Sequence, residues 1–211
     1  MTAILQETRR SARKAKGDGH LRRAEILEAA ERIFVAQGYE AATIRKIADE
    51  VGVSSTALYM HFHDKDQILL EICTGAMEEL LALNCQAAAM PIDAVSRVRL
   101  MLEGYIRFAL DHPNAYRLVF CSSPQVDRIR REHASLQLGA ECLERFASAI
   151  REIAAEGRLR TGDPETVHQV LWSACHGMVT LMLTKPDLEW KPARELTQVM
   201  LDGLLHGLIA D

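Results

Sequence analysis

The side chains best equipped for chemistry in this chain lie between Thr43 and Lys65, and their chemistry is hydrogen bonding to a polyanion rather than bond breaking. Ser55, Thr56 and Ala57 offer two hydroxyls and a methyl. Tyr59 and His61 add a phenol and an imidazole, and Met60 an apolar thioether; Thr43, Arg45 and Lys65 contribute a hydroxyl, a fork of guanidinium donors and an ammonium. Small and hydrogen-bonding groups at the front of a helix suit base-pair edges, which show a distinct donor and acceptor pattern in the major groove. Other combinations carry less. His61 and His63 are two apart and face different ways on a helix, so each is read as a solvent or phosphate contact. Cys175 and His176 are adjacent and diverge by about 100° on a helix, which disfavours a shared ion even with Cys121 as a third ligand. Packing is the better role for Cys175, and an internal hydrogen bond for His176, with Gly177 letting two helices approach closely. No GxSxG, HExxH, glycine-rich phosphate loop or CxxC pair occurs. No catalytic residue, metal ligand or cofactor is expected, and the chain reads as a non-enzyme.

Two short helices must position the first group. Ile44, Ile47, Ala48 and Val51 recur at i, i+3, i+4 and i+7, which makes one buried face and leaves Arg45, Lys46, Asp49 and Glu50 outside. Thr43 is placed as an N-cap, Gly52 supplies a turn at positive φ, and Ser54 caps the second helix. On that helix Leu58 and Phe62 point inward, four apart, while Ser55, Thr56, Tyr59 and Met60 occupy the opposite face. Asp64 with Gln67 three residues later forms a capping-box pattern that opens the next helix. The whole is a helix-turn-helix, the geometry that delivers a second helix into the major groove.

A preceding amphipathic helix with Phe34 and Gly38-Tyr39, then Thr43-Ile-Arg-Lys-Ile-Ala48, Val51-Gly-Val53, Ala57-Leu-Tyr-Met-His-Phe62 and Lys65-Asp-Gln-Ile-Leu69, resembles the N-terminal domain of the TetR family of transcriptional regulators. The resemblance covers roughly residues 22–71. It implies that Thr43, Tyr59, His61 and Lys65 hold phosphates while Arg45, Ser55, Thr56, Ala57 and Met60 approach bases. The partner it implies is a double-stranded DNA operator.

The overall charge runs against a polyanion partner, since the 211-residue chain carries a net charge of −4. Divided at Lys65, the first part holds eleven Lys and Arg against nine Asp and Glu, and the remainder fourteen against twenty. A basic DNA module on an acidic body accounts for the total. No uninterrupted apolar stretch of about 18 residues is present to span a membrane, and the arginine-rich start lacks a signal-peptide core. Five cysteines, odd in number and widely spaced, point to free thiols in a reducing compartment. A cytoplasmic location is expected.

Past the helix-turn-helix every periodic segment reads as helix, which makes the fold class all-α. Residues 1–19 are expected as a flexible basic tail, with a minor-groove arm as the alternative. A first helix is expected over about Leu21–Gln37, burying Ile26, Leu27, Ala30, Ile33 and Phe34. A long helix from Lys65 bridges the two domains and breaks before Pro91. Val95 to Ala109 marks a helix ending at His112-Pro113. Pro124 to Glu156 reads as one charged segment stopped by Gly157, and Asp163-Pro164 opens a helix to about Thr184. A last helix from about Ala193 is expected to bury Leu196, Val199, Met200, Leu204 and Leu208.

His112-Pro-Asn-Ala-Tyr-Arg-Leu-Val-Phe120 and Trp172-Ser-Ala-Cys-His-Gly177 resemble two motifs of one TetR C-terminal subfamily. Residues 20–66 are then the DNA-binding domain of three helices. Residues 67–211 are a helical bundle for effector binding and dimerisation. Aromatic and Met side chains supply candidate ligand contacts: Met101, Tyr105, Phe108 and Phe120 on one stretch, Phe146 and Trp172 on others, with Tyr116 and His176 as polar members. Met178 and Met182 belong to the same apolar set. Each has simple core packing as its rival reading. A two-fold homodimer is expected through the last two long helices, with Val167, Val170, Leu171 and Ala174 on one and Leu196, Val199, Met200, Gly203 and Leu204 on the other. The reading is a repressor released from a palindromic operator by a small apolar or amphipathic effector. Its alternative is a helical enzyme or protein-interaction module without operator binding.

Overall fold

The computed structural model describes residues 19–121, 123–131 and 133–210. The basic tail and its minor-groove alternative concern residues outside that range, Gly19 excepted. Contacts divide the chain into two compact units, one ending at Leu69 and the other beginning at Leu70.

The first unit is built on α1 (Gly19–Gln37), α2 (Ile44–Val51) and α3 (Ser55–Tyr59). Ile26, Ala29, Ala30, Ile33 and Phe34 of α1 are buried, while Leu27, expected among them, is only half-buried. They pack with Ile47 and Ala48 of α2, Leu58 of α3, and Tyr39 and Phe62 from the connections. Fully burying one such side chain is worth about 1.5–3 kcal/mol, which is how so short a pair of helices holds its geometry. The helix α4 (Lys65–Ala88) starts in this unit and continues as part of the second.

In the second unit, α5 (Ala94–Asp111) packs against both α8 (Ala134–Ala155) and α9 (Pro164–Thr184), and α8 packs on α9. Val98, Met101, Leu102, Tyr105, Ile106 and Ala109 of α5 are buried, three or four residues apart along one stripe. Pro113 begins α6 (Pro113–Phe120) directly after the α5 end. The segment read as one charged stretch is two helices, α7 (Pro124–Arg130) and α8. The break falls at His133, whose extended backbone and side chain cap α8 by accepting from Ser135 N. Asp163 caps α9 as expected, accepting from the Glu165 and Thr166 amides, with Pro164 at the first position.

The closing helix α10 (Ala193–Leu208) corrects the expected register. Thr197, Leu201 and Leu205 face the core, and Val199 is 69 % exposed. Leu196, Met200, Leu204 and Leu208 are half-buried rather than core. On α9 the buried row is Val167, Leu171, Cys175 and Val179, so Val167 and Leu171 belong to the protomer's own core and not to a dimer surface. Val170 and Leu181 are the exposed members. Nor does Gly177 serve a close helix approach within the chain, since a Cβ there would meet nothing within 4 Å. An antiparallel bridge between Leu159 and Ile209, with Arg160 N–H donating to the Leu208 carbonyl and Ala210 N–H to that of Arg158, ties the last turn of the chain to the α8–α9 connection.

Candidate nucleic-acid interface and apolar cavity

The turn between α2 and α3 is set by three residues. Thr43 Oγ1 accepts from the Lys46 amide at 3.2 Å and so satisfies one of the free amides that open α2. Gly52, at φ 75° and ψ 36°, takes the left-handed conformation that ends α2, and its N–H bonds back to Asp49. Ser54 Oγ accepts from the Ala57 amide at 3.1 Å to open α3. With Leu58 fully buried, the other side of α3 is turned outward: Thr56, Ala57 and Tyr59 are exposed and Ser55 is half-buried.

The helix is shorter than its sequence pattern. It ends at Tyr59, and Met60 and His61 lie in the turn that follows. The next cap follows at once: Asp64 Oδ1 accepts from the Gln67 amide and Gln67 Oε1 accepts from the His63 amide, both at 2.7 Å, a variant of the capping box whose return bond reaches the residue before the cap. Phe62 is still drawn inward, under the Arg23 guanidinium at 4.1 Å from its ring centroid. Arg23 also donates to the His61 carbonyl. Met60 is 83 % exposed, an apolar side chain held in water on the same outer face.

Arg45 is open to solvent and reaches Asp49 at 3.9 Å, a weak surface pair that leaves the guanidinium fork available. Lys65 is placed differently from a free phosphate ligand. Its Nζ donates to the Tyr39 and Ala42 carbonyls at 2.9 and 3.3 Å and sits 4.2 Å from the Tyr39 ring centroid. Tyr39 is pinned in turn by its hydroxyl, which donates to Asp66. Lys65 therefore also holds the α1–α2 connection. The structure thus gathers the front of α3, its following turn and Arg45 on exposed surface, with Thr43 and Lys65 engaged in shaping that surface.

In the second unit a cavity of about 420 Å³ opens among α4, α5, α6, α7, α8 and α9. Five of the expected ligand residues, Met101, Tyr105, Phe120, Phe146 and Trp172, line it. Phe108, Tyr116 and His176 do not, nor do Met178 and Met182. Phe108 is buried against His112, with ring centroids 5.3 Å apart. Tyr116 and His176 stand behind Tyr105: both phenol oxygens lie 2.8–2.9 Å from His176 Nδ1 and 3.1 Å from each other. Burial pushes both phenols up from their ordinary value, and that of Tyr105 is raised further by its neighbour Tyr116; burial lowers His176. Both directions favour the uncharged phenols and the uncharged imidazole. The triad fixes the orientation of Tyr105, its one member that lines the cavity. Cys175, behind the same wall, is a buried thiol pushed up to about 12 by desolvation.

Sequence reasoning missed the polar members of the lining. Arg130, Ser135 and Asn84 all face the cavity and all are buried. In the sequence Arg130 and Ser135 sit in or beside a polar run, where no periodicity separates an inward side chain from a solvated one, and Asn84 is a lone amide among apolar neighbours. Among the described residues no cluster of three or more metal-ligating side chains occurs, and no helix is long and apolar enough to cross a membrane.

Known proteins resemble both units. Residues 26–72 match the family of bacterial regulatory proteins described as the tetR family, and residues 98–204 match the tetracyclin repressor-like C-terminal domain. The chain is 35 % identical over 109 residues to the HTH-type transcriptional activator FasR of Mycolicibacterium smegmatis, a match that covers 50 % of each protein. It is 30 % identical over 154 residues to the nucleoid occlusion factor SlmA of Vibrio vulnificus, covering 72 % of this chain and 76 % of SlmA. Among solved structures, the regulator PfmR of Thermus thermophilus superposes with a TM-score of 0.71 at 25 % identity, over 86 % of this chain and 97 % of PfmR.

Proposed function

The chain belongs to the TetR family of bacterial transcriptional regulators, proteins that bind DNA, and from that premise we propose that it is a cytoplasmic repressor released from a two-fold operator by a small ligand. The cavity beside Tyr105 and Trp172 is the observation that carries the ligand part: a pocket of this size, mostly apolar with a few polar groups, is what small-molecule sites look like. One recognition helix reads only about four base pairs, so a homodimer on mirrored half-sites supplies the selectivity that one copy lacks. Its surface would be the outward faces of α9 and α10. Val170 and Ala174 lie on the first, and Val199 and Gly203 on the second.

Coupling has a physical route in α4, one unbroken helix with residues in both units. A ligand that prefers a conformation with altered spacing of the two recognition helices penalises the DNA-bound dimer, and DNA must then weaken ligand binding by the same factor. A 100-fold release requires about 2.7 kcal/mol of coupling. The test is a thermal-shift screen of metabolites and hydrophobic drugs, followed by operator release with the hits. Trp172→Ala is expected to raise the concentration needed for release at least tenfold. Hits that stabilise the protein yet never change operator affinity would refute the switch. FasR is named an activator, so the sign of regulation needs its own readout: deleting this protein should raise expression of a reporter behind its operator.

The base contacts are proposed for Arg45, Ser55, Thr56, Ala57 and Met60, and phosphate contacts for Thr43, Tyr59, His61 and Lys65. Arg45→Ala should cost about 1–3 kcal/mol and relax preference at one base pair per half-site. A binding-site selection that returns the wild-type preference for Arg45→Ala would remove it from the base-reading set. Lys65→Ala makes a poor phosphate probe, because it also frees the Tyr39 and Ala42 carbonyls.

A further inference from the structure

Where α7 ends and α8 begins, two polar side chains on the cavity wall are out of water with bonding capacity unused. Arg130 is 7 % exposed; its guanidinium donates to the Val119 carbonyl, and its Nε has no hydrogen-bond partner. The hydroxyl of Ser135, a residue with no exposure at all, has none either. Asp127 lies on the same wall one turn earlier and is exposed, but it does not take the Nε donor. A guanidinium removed from water and bonded to a neutral carbonyl is an unfinished arrangement, since buried charges are as a rule paired and hydrogen-bonded. A carboxylate finishes it, because its two oxygens match the geometry of the fork and can also accept from a hydroxyl.

The remaining wall prescribes the rest of the ligand. Met77, Leu80, Leu102 and Phe146 are buried apolar side chains, and Leu136 and Leu143 leave apolar edges open to water at the same cavity. We propose that the cavity takes an amphipathic monoanion, a carboxylate on an extended apolar body, with its head held by Arg130 and Ser135 and its body laid against the methionine, leucine and phenylalanine wall. The proposal rests on the reading of this cavity as the effector site and names the chemistry that site selects.

Calorimetric titration of the full-length protein without DNA tests it, with dodecanoate and dodecanol as probes, both kept below their aggregation concentrations. The wild type is expected to bind dodecanoate at least tenfold more tightly, equivalent to about 1.4 kcal/mol. Arg130→Gln should erase that preference while leaving dodecanol affinity within about twofold, the behaviour expected when only the charged head loses its partner. Ser135→Ala should reduce the preference by a smaller factor, and it carries the test if Arg130→Gln fails to fold. Equal or tighter binding of dodecanol by the wild type, a preference that stays undiminished in the folded variants, or no dodecanoate binding would overturn the proposal. The release reading fails separately: selective dodecanoate binding with no effect on operator affinity sinks the switch and leaves the head-group assignment standing.

Discussion

Val199→Asp is expected to abolish high-affinity operator binding while leaving each protomer folded. Val199 is 69 % exposed in the single chain, an apolar side chain on the outward face of α10 beside half-buried Leu196 and Met200 and exposed Gly203. If two copies meet through that face, symmetry repeats the change in both, and each interface must bury or expel two carboxylates with no partner. Losing the dimer turns one bivalent encounter into two separate ones, so operator affinity should fall by on the order of 100-fold or more. Sedimentation of the variant should show a monomer at micromolar concentration, and its melting temperature in the monomeric state should match that of diluted wild type. A Val199→Asp protein that remains a dimer with unchanged operator affinity would place the two-fold contact elsewhere.

Phe62→Ala should cost about 3–5 kcal/mol, the range for removing a buried aromatic side chain. Phe62 is 1 % exposed in a unit that ends at Leu69, and it also accepts the Arg23 guanidinium on its ring. A unit this small seldom has more than about 3–5 kcal/mol from its core, so the loss is comparable to its whole stability. Hydrogen exchange on the full chain should show α1, α2 and α3 exchanging rapidly while α5, α8 and α9 stay protected, and operator binding should vanish. Protection retained in α1 to α3 would mean that the rest of the unit closes over the missing ring.

The helix-turn-helix was legible in the sequence because its determinants are local. A cap at Thr43, a left-handed glycine at position 52, a second cap at Ser54 and the Asp64–Gln67 box are each written in a few neighbouring residues, and each forms the bonds its residue types prescribe. The apolar spacing of α1, α2 and α5 likewise named the faces they bury. Helical periodicity also found the last two helices. It could not say which apolar face of α10 meets the protomer's own core, because that helix is apolar on two sides and only the packing of α5 and α9 selects Thr197, Leu201 and Leu205. The same holds for Val167 and Leu171, apolar residues whose inward facing depends on partners far along the chain. The cavity was decided entirely by tertiary structure. Its aromatic wall was guessed from composition, but three of the eight named residues, Phe108, Tyr116 and His176, turned out to back the wall or lie outside it. Arg130 and Ser135 had no local signal at all. Whether a polar side chain in a helix meets water or an apolar chamber depends on what the other helices place opposite it, and that arrangement exists only once the chain has folded.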